Sequence, residues 1–390
     1  MIKIGDTMKK QFSKMDKPLL FFTILYSMLG LIMILSASSV SAVLRYGVST
    51  YYFFIRQLLF VIASFILGFF VILRLPTTKY KYFMPVFVIG ILVALAGLFV
   101  YGVISNGAQS WYNLGFFHLQ PTEFAKSIII VYMAVFYQRV LKKKNQNLYY
   151  NLIPIMIGFV MFILIAMQPD FGGAVILGGI VFVIFWILPF KDDNKMQLFK
   201  FIAIAAVLGA AAFMYTGSEF LNSTQMARFK YKEPCTRYQE DTGYQVCNGF
   251  IAMHNGGLFG AGLGNSTQKY LYLPEAHTDF IFPILVEELG LVTGILVIIG
   301  YIVILYRILR IAKKANTIRG SILAFGTFAF LLLHLIINFA GILALLPLTG
   351  VPLPFLSYGG SFTINIIVML FVVQRVAIET NIENNRLKLR

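Results

Sequence analysis

Two carboxylates and an imidazole stand together in residues 273–283, which read LPEAHTDFIFP and lead into a long apolar stretch. Ionisable side chains at the edge of a membrane are costly to place and commonly serve a function. A carboxylate within hydrogen-bond reach of a hydroxyl group can take its proton as a general base. Asp279 is therefore the candidate base, with Glu275 and His277 as supporting residues. Asp279 is expected in the first turn of the helix that follows, and the alternative is that it is only an anion that the helix dipole favours there.

A second polar motif is QPTEFAK, residues 120–126. Because proline is favourable near a helix start, this motif predicts the beginning of a helix. Glu123 and Lys126 are three residues apart and can pair on one face of that helix. Either they form a neutralised ion pair near the membrane edge, or Lys126 faces a cavity and binds an anion.

Two more motifs combine polar side chains with proline and glycine: QPDFGG at 168–173 and LPLTGVPLPFLSYGGS at 346–361. Asp170 is expected either to cap the next helix or to contact a substrate. The longer motif breaks the chain between two apolar stretches, and irregular backbone at membrane depth is tolerated only where it is buried or lines a cavity. Ser357 and Ser361 are the candidate substrate contacts in this motif.

Membrane-spanning helices are the elements that must position these motifs. Hydrophobic residues make up 59% of the 390 residues and charged residues only 12%, which is typical of an integral membrane protein. The alternation of apolar and polar residues that marks a membrane β-barrel is absent. A spanning helix needs about 20 apolar residues. The prediction is an all-α integral membrane protein with ten transmembrane helices, at 18–43, 52–75, 84–104, 120–138, 150–167, 172–190, 199–214, 279–306, 321–346 and 360–377.

The basic residues predict how the helices are oriented. Ten spans place both termini on one side, and most of the 32 Lys and Arg residues then lie in the cytoplasm, as the positive-inside rule requires. The expected organisation is a basic cytoplasmic N-terminus (1–17), a membrane domain (18–377) and a cytoplasmic C-terminal tail (378–390). The membrane domain includes one large extracytoplasmic loop (216–278) between helices 7 and 8. All four polar motifs then lie at extracytoplasmic helix ends.

The net charge of +16 is explained by this orientation and by contact with anionic lipid. No basic patch is interleaved with exposed aromatic residues, so nucleic-acid binding is not expected. Signatures of soluble enzymes, such as a phosphate-binding loop or a zinc-protease motif, are missing.

The large loop and the helix after it hold further candidate features. A loop of this length is uncommon unless it is functional or disordered, and its charges and aromatic residues favour a partly ordered loop folded back on the bundle. The GAGLG run at 260–264 is interpreted as a flexible turn. Cys235 and Cys247 either form a disulfide, if that side is oxidising, or stay two free thiols. Beyond the loop, at least one of Glu287 and Glu288 must face the bundle interior or a wet cavity.

Over nearly its whole length the sequence resembles the SEDS family (shape, elongation, division and sporulation proteins, typified by FtsW and RodA). The resemblance is carried by the four motifs in order, together with Ser36-Ala-Ser38, Arg56-Gln57, Trp111, the Arg228 region and EELG at 287–290. GYQV at 243–246 and SASS in the first helix favour the division-type FtsW branch over RodA. His334, where many relatives have Gln, and Phe362, where Ser is usual, depart from the family pattern and leave contacts at the ninth and tenth helices open.

This resemblance implies a peptidoglycan glycosyltransferase that polymerises lipid II, an undecaprenyl-diphosphate-linked disaccharide-peptide. The reaction would take place at the outer face of the bacterial cytoplasmic membrane, during cell division or elongation. The family's essential acidic residue maps onto Asp279, and its paired Glu and Lys map onto Glu123 and Lys126. Cations must offset the diphosphate charge, and Lys126, Arg56, Arg228 or a divalent metal such as Mg or Mn would supply them; no other cofactor is expected.

The family works with a class b penicillin-binding protein, a single-span transpeptidase, so this partner and other membrane proteins of the division or elongation machinery are expected. Two other functions also fit ten helices with intramembrane charges. A flippase for lipid-linked precursors would need polar residues along its whole path, whereas here they are concentrated in the outer half. A non-catalytic scaffold for the transpeptidase would tolerate the loss of Asp279.

Overall fold

The protein is described here from a computed structural model, which describes residues 12–105, 108–115, 117–142, 148–188, 196, 200 and 231–388. Apart from residue 200, the predicted seventh helix at 199–214 lies outside the described residues, as do the first part of the large loop and Arg228. In chain order the helices are α1 (Lys17–Leu44), α2 (Tyr52–Leu67), α3 (Tyr80–Tyr101), α4 (Pro121–Lys142), α5 (Leu148–Asn151), α6 (Ile153–Ala166), α7 (Phe171–Ile187), α8 (Asp241–Gly256), α9 (Ile281–Lys314), α10 (Ile318–Ile342) and α11 (Gly360–Lys388).

Seven of the described helices are long and apolar enough to cross a membrane, and α6 and α7 are shorter apolar helices. The chain is therefore a multi-pass membrane protein. Helix α11 lies at the centre of the bundle, because 89% of its most apolar stretch is buried, against 22% for the span formed by α2 and the π-helical turn Gly68–Ile72. Helix α10 packs beside α11 and is also largely enclosed.

The predicted spans agree with the described helices in position but not always in length. Helix α9 continues to Lys314 and α11 to Lys388, past the ends predicted from hydropathy. The reason is that hydropathy detects the apolar part of a helix, whereas Lys, Arg and Glu extend helices well in water. The segment predicted as a tail, 378–390, therefore continues α11 over its described part.

A small antiparallel sheet, which the sequence did not predict, accompanies the predicted helical fold. Strands β1 (Val103–Ser105), β2 (Ala108–Asn113) and β3 (His118–Leu119) pair in the order β1-β2-β3 and join α3 to α4. The hydroxyl of Tyr112 donates to the carbonyl of Ala94 at 2.7 Å, which ties β2 to α3. Strands of two to six residues are too short for a period-2 pattern to be recognised in the sequence.

Helix α9 is interrupted at Gly290, which has φ 85° and ψ 165°. A continuous helix would join the N–H groups of Leu291 and Val292 to the carbonyls of Glu287 and Glu288. Here the two N–H groups donate to the carbonyls of Gly257 and Leu258 at 2.9 and 3.2 Å. In exchange, the carbonyls of Glu287 and Glu288 accept from the N–H groups of residues 261 and 262, both at 2.9 Å.

We call residues 257–262 the clip, because they bridge the interruption in α9 with these four hydrogen bonds. The interpretation of the GAGLG run as a flexible turn is therefore wrong. Gly260 (φ +83°) and Gly290 lie backbone to backbone, and a Cβ atom on either would overlap main-chain atoms of the other segment. Glycine spacing alone did not reveal the clip, since its partner groups lie about thirty residues further along the chain.

The described part of the large loop is ordered, as predicted. Helix α8 packs along the first turns of α9, with Gly249 against Phe280 and Gly256 against the backbone of Val286 and Glu287. Cys235 and Cys247 form a disulfide with a Cα–Cα distance of 5.0 Å, which fastens the 3-10 turn Pro234–Arg237 to α8. Of the two alternatives for these cysteines, the structure has the disulfide.

Candidate functional site

Asp279 lies in a turn that immediately precedes α9. The helix begins at Ile281, so the expectation that Asp279 lies in its first turn is wrong. Within the turn, the Thr278 hydroxyl lies 2.8 Å from Glu275 Oε2 and 3.2 Å from Asp279 Oδ1. The backbone N–H groups of Thr278 and Phe280 both donate to the carbonyl of Glu275, which fixes the path of the chain on both sides of Asp279.

The carboxyl group of Asp279 faces the proline- and glycine-rich motif at 346–361. Asp279 is only 7% exposed, and a Cβ atom built on Gly350 would lie 3.8 Å from Asp279 Oδ2. The Asn338 amide donates to the carbonyl of Asp279 at 2.9 Å and to that of Val351 at 2.8 Å. This amide therefore joins the two segments that meet at the carboxylate.

His277 is buried in an aromatic cluster. Its ring centroid lies 4.7 Å from that of Phe53, and the rings of Tyr46 and Tyr358 are also in contact. Burial lowers the pKa of His277 to about 4, while the charge of Glu275 raises it and that of Arg45 lowers it further. The imidazole is therefore neutral near pH 7. The N–H group of Tyr358 donates to the carbonyl of His277 at 2.9 Å, a second link between this turn and the 346–361 motif.

Two arginines lie beside this turn. Arg45 follows α1, is half-exposed, and its guanidinium group lies 3.9 Å from Glu275. Arg56 in α2 lies over the Tyr52 ring at 4.5 Å and hydrogen-bonds the Tyr358 hydroxyl. A cavity of about 380 Å³ opens between the end of α1 and the 269–277 segment, lined by Ser41, Leu44, Arg45, Lys269, Leu271, Leu273, Pro274, Glu275, Ala276 and His277.

Glu123 and Lys126 form a buried ion pair. Lys126 Nζ lies 2.7 Å from Glu123 Oε1 and 3.0 Å from His334 Nε2, and the Lys126 side chain is 1% exposed. His334 Nδ1 lies 2.8 Å from the carbonyl of Phe330, which can only accept. We therefore assign the imidazole proton to Nδ1, so that Nε2 accepts from the lysine. This geometry matches the ion-pair alternative.

One face of α10 connects the ion pair to Asp279. His334 contacts Lys126, Asn338 contacts the backbone of Asp279, and residues four apart on a helix are neighbours about 6 Å apart along its axis. The carbonyl of Glu123 also accepts from the side-chain amide of Asn365 in α11. The QPTEFAK and LPEAHTDFIFP motifs are thus held at neighbouring levels of α10, and QPTEFAK is also held by α11.

The remaining candidates make contacts that position the backbone. Asp170 caps α7, because its Oδ1 accepts from the N–H group of Gly173 at 2.9 Å. Ser357 Oγ accepts from the N–H group of Leu353 at 2.7 Å, and Ser361 Oγ from that of Gln120 at 3.0 Å. Substrate contact by these three residues, which all lie at the Asp279 end of the bundle, stays a prediction.

A second buried polar cluster lies at the interruption in α9. Glu287 accepts from the hydroxyl groups of Ser266 and Thr267 and from the N–H groups of Thr267 and Gln268. Glu288 pairs with Lys269 at 2.9 Å and accepts from the Ser36 hydroxyl at 2.6 Å. Both glutamates are 1% exposed, which confirms the prediction that at least one faces the bundle interior.

Sequence reasoning missed two of these contacts for different reasons. Asn338 had a signal, because it is a polar residue one turn after His334 in an otherwise apolar helix. Lys269 had none, since its partner Glu288 is 19 residues away in the chain. Among the described residues, no three His, Cys, Asp or Glu side chains are grouped so as to hold a metal ion, so we assign no metal ligands.

A family model described as "Cell cycle protein", covering the FtsW, RodA and SpoVE proteins, matches residues 17–382. The chain belongs to this family. It is 35% identical over 391 residues to the probable peptidoglycan glycosyltransferase FtsW of Bacillus subtilis, a match that covers 98% of this chain and 95% of the relative. The stage V sporulation protein E of the same organism is 35% identical over 353 residues, covering 89% and 92% of the two chains.

Solved structures of similar proteins have the same fold. One chain, from a study of the coordination of polymerization and crosslinking by a peptidoglycan synthase complex, matches with a TM-score of 0.73 and 22% identity, over 94% of this chain and 98% of that chain. The rod shape determining protein RodA of Thermus thermophilus matches with a TM-score of 0.63 and 23% identity, over 93% and 96% of the two chains.

Proposed function

We propose that this chain is a peptidoglycan glycosyltransferase that polymerises lipid II into glycan strands, with Asp279 as the general base. Its relatives with this activity in their names align over nearly the whole chain. The observation that carries the residue assignment is that the Asp279 carboxylate lies against the 346–361 motif, while α10 connects the Asp279 backbone to the QPTEFAK motif. Asp279 contacts the 346–361 motif through Gly350 and Asn338, and α10 links it to the Glu123–Lys126 pair.

The reaction needs one base that accepts a proton and a leaving group that takes the negative charge. Asp279 takes the proton of a sugar hydroxyl on the acceptor, and the resulting oxygen nucleophile attacks the anomeric carbon of the donor. The new glycosidic bond forms as the bond from that carbon to the phosphate oxygen breaks. The lipid diphosphate leaves with the electron pair of the broken bond. Because this leaving group is already good, a second carboxylic acid of the kind glycoside hydrolases use is not required.

The diphosphate requires positive charge nearby. We propose that Arg56, which is half-buried beside Tyr358, contacts the diphosphate. Arg228, which lies outside the described residues, is proposed to contact it as well. Lys126 is enclosed by Glu123 and His334, so it would contact a phosphate only after one of these partners moves. A divalent cation that arrives with the diphosphate is also part of the proposal.

We propose that the Asp279 end of the bundle faces the outside of the cytoplasmic membrane. The Cys235–Cys247 disulfide supports this orientation, because disulfides persist in oxidising compartments. The proposed partner is a class b penicillin-binding protein that cross-links the new strands, in line with the synthase complex that contains a structural relative. A role in cell division, as for the FtsW relatives, is proposed over a role in elongation.

The decisive experiment is polymerisation of labelled lipid II by the purified chain, with and without the transpeptidase. We expect Asp279→Asn to fold normally and to lose polymerisation, because an amide cannot take the proton. Asp241→Asn is the matched control, since Asp241 is an exposed acidic residue at the start of α8, and it should keep full activity. Normal strand synthesis by Asp279→Asn would refute the role of this carboxylate and favour a scaffold. Lipid movement across sealed vesicles without polymer formation would favour a flippase.

A further inference from the structure

The clip has an unusually apolar surface for a segment predicted to lie outside the membrane. Leu258 and Phe259 of the clip are 60% and 82% exposed, and Leu263, the next residue after the clip, is 54% exposed. No residue from Gly256 to Ser266 carries a charge. Removing a large apolar side chain from water is favourable by about 1.5–3 kcal/mol, so three such side chains side by side call for an apolar environment.

The depth of the clip follows from two ties between α1 and α9. At one end, Arg307 Nε donates to Asp16 Oδ1 at 3.0 Å. At the other end, the Ser36 hydroxyl donates to Glu288 at 2.6 Å. The ties are about 20 residues apart on either helix, or about 30 Å at 1.5 Å per residue, which equals the thickness of the hydrocarbon layer. The stretch between the two ties is therefore long enough to cross this layer, and the clip, bonded to Glu287 and Glu288, lies at one end of that stretch.

The surface around the clip is continuous with a lipid-facing helix surface. Leu291 and Val292, which bond the clip through their N–H groups, are both nearly half exposed. One turn further along α9, Ile295 and Leu296 are 48% and 60% exposed. Helix α8 descends along the outer turns of α9 to reach the clip. The chain then returns through residues 266–269, which Glu287 and Glu288 hold.

The clip also meets the main chemical requirement for contact with lipid. Irregular backbone at membrane depth needs hydrogen-bond partners for its polar groups, because lipid offers none. The interruption of α9 supplies these partners. Backbone groups of α9 that would bond each other in a continuous helix bond residues 257, 258, 261 and 262 instead. The side chains between these bonds are then free to face outward.

We propose that residues 256–264 form a re-entrant tip that inserts into the outer part of the lipid leaflet, with Leu258, Phe259 and Leu263 in contact with acyl chains. The occupant of this surface is lipid rather than another protein, because the surface continues the exposed face of a spanning helix and lies at one end of a stretch long enough to cross the hydrocarbon layer. The proposal concerns where the segment lies and does not depend on the proposed enzymatic function.

The test places a tryptophan reporter at the tip. Trp111 and Trp186, the two tryptophans of the chain, are first replaced by Phe, and Phe259→Trp is then introduced. The purified chain is reconstituted without partners into vesicles that contain brominated phosphatidylcholine, and aqueous iodide serves as the second quencher. Ile295→Trp on the exposed face of α9 is the lipid-facing control, and Tyr238→Trp beside the disulfide is the water-facing control.

We expect bromolipid to quench Phe259→Trp at least half as strongly as Ile295→Trp, and iodide to quench it several-fold less than Tyr238→Trp. Quenching by iodide to the level of Tyr238→Trp would overturn the proposal, because the tip would then lie in water. Quenching by neither agent would also overturn it, since another protein copy would then cover the tip.

A second measurement covers the case in which the tryptophan variant does not fold. In Phe259→Cys the new thiol is the free one, since Cys235 and Cys247 are paired. We expect a membrane-impermeant maleimide to leave it unlabelled in vesicles and to label it after denaturation. Full labelling in intact vesicles would refute insertion.

Discussion

The buried pair of Glu123 and Lys126 allows a structural role and a role in activity to be tested separately. Removing one partner leaves an uncompensated buried charge and typically destabilises a protein by about 3–5 kcal/mol, whereas replacing both partners is often neutral. Lys126→Met is therefore expected to lower the thermal unfolding temperature in detergent, and Glu123→Gln with Lys126→Met to recover most of the loss.

The double variant also decides between the two interpretations of this pair. We expect it to unfold near the temperature of the parent and to polymerise lipid II poorly, because the positive charge one turn of α10 away from Asp279 is gone. Normal polymerisation by the stable double variant would show that the pair serves structure alone.

His277 provides a pH-dependent prediction. Its folded pKa of about 4 lies below the ordinary value of about 6.5, so the unfolded state binds the proton first. Stability should be full above pH 6.5, fall by about 3 kcal/mol as the pH drops to 4, and level off below that. The measurement is thermal unfolding against pH for the parent and for His277→Gln, which should lose this slope. His254→Gln, at an exposed position, should keep it, and an unchanged slope in His277→Gln would contradict the assignment.

At this scale, the sequence indicates candidate side chains more readily than the partners of those side chains. Asp279, Glu123 and Lys126 stand out because charges are rare in apolar sequence. The pairing of Lys126 with His334 joins residues 208 apart in the chain, and no local pattern encodes such a contact. The choice of Nδ1 as the protonated nitrogen likewise depends on the Phe330 carbonyl, which is visible only in the folded protein.

Among the elements, the interrupted helix α9 makes the sharpest prediction. Alanine at position 290 cannot easily adopt a φ of +85° and would overlap the Leu258 carbonyl, yet alanine is the best helix former. Gly290→Ala is therefore expected to restore a continuous α9 and release the clip. Hydrogen exchange at the amides of residues 261 and 262 should accelerate by orders of magnitude, and polymerisation should fall because the turn that carries Asp279 shifts.

The matched control for this change is Gly90→Ala in α3. A Cβ atom at Gly90 meets nothing within 4 Å, so this variant should be unchanged or up to about 1 kcal/mol more stable. Retained protection of the clip amides in Gly290→Ala would show that the interruption does not depend on glycine.

Hydropathy predicted where helices lie but not where one is interrupted. The apolar run through 281–306 looks continuous because Gly290 is a single residue within it. The interruption is stabilised by backbone groups of the clip, which sequence patterns do not report. The sheet at 103–119 was missed because its strands are short and its register depends on contacts with α3.

For the whole molecule, the distribution of Lys and Arg gives an orientation that can be measured directly. Alkaline phosphatase fused after residue 240 should be active in a bacterial host, since this enzyme needs the oxidising outer side. A green fluorescent protein fused after residue 388 should fluoresce, because this fusion stays in the cytoplasm. The opposite pair of results would reverse the orientation. Two signals from one side would contradict the odd number of spans, three, that is predicted between the two positions.

The clip also predicts which residues can vary. Its four hydrogen bonds to α9 join backbone groups. Whether the clip forms therefore depends on the backbone conformation and not on the identity of the side chains. In a saturation-mutagenesis library, positions 258, 259 and 263 should accept almost any apolar residue. Positions 256, 260 and 290, where a Cβ atom would overlap main-chain atoms, should accept glycine alone. Selection would then preserve the glycines of the two segments together, whereas the apolar side chains of the tip would vary with the composition of the lipids that they contact.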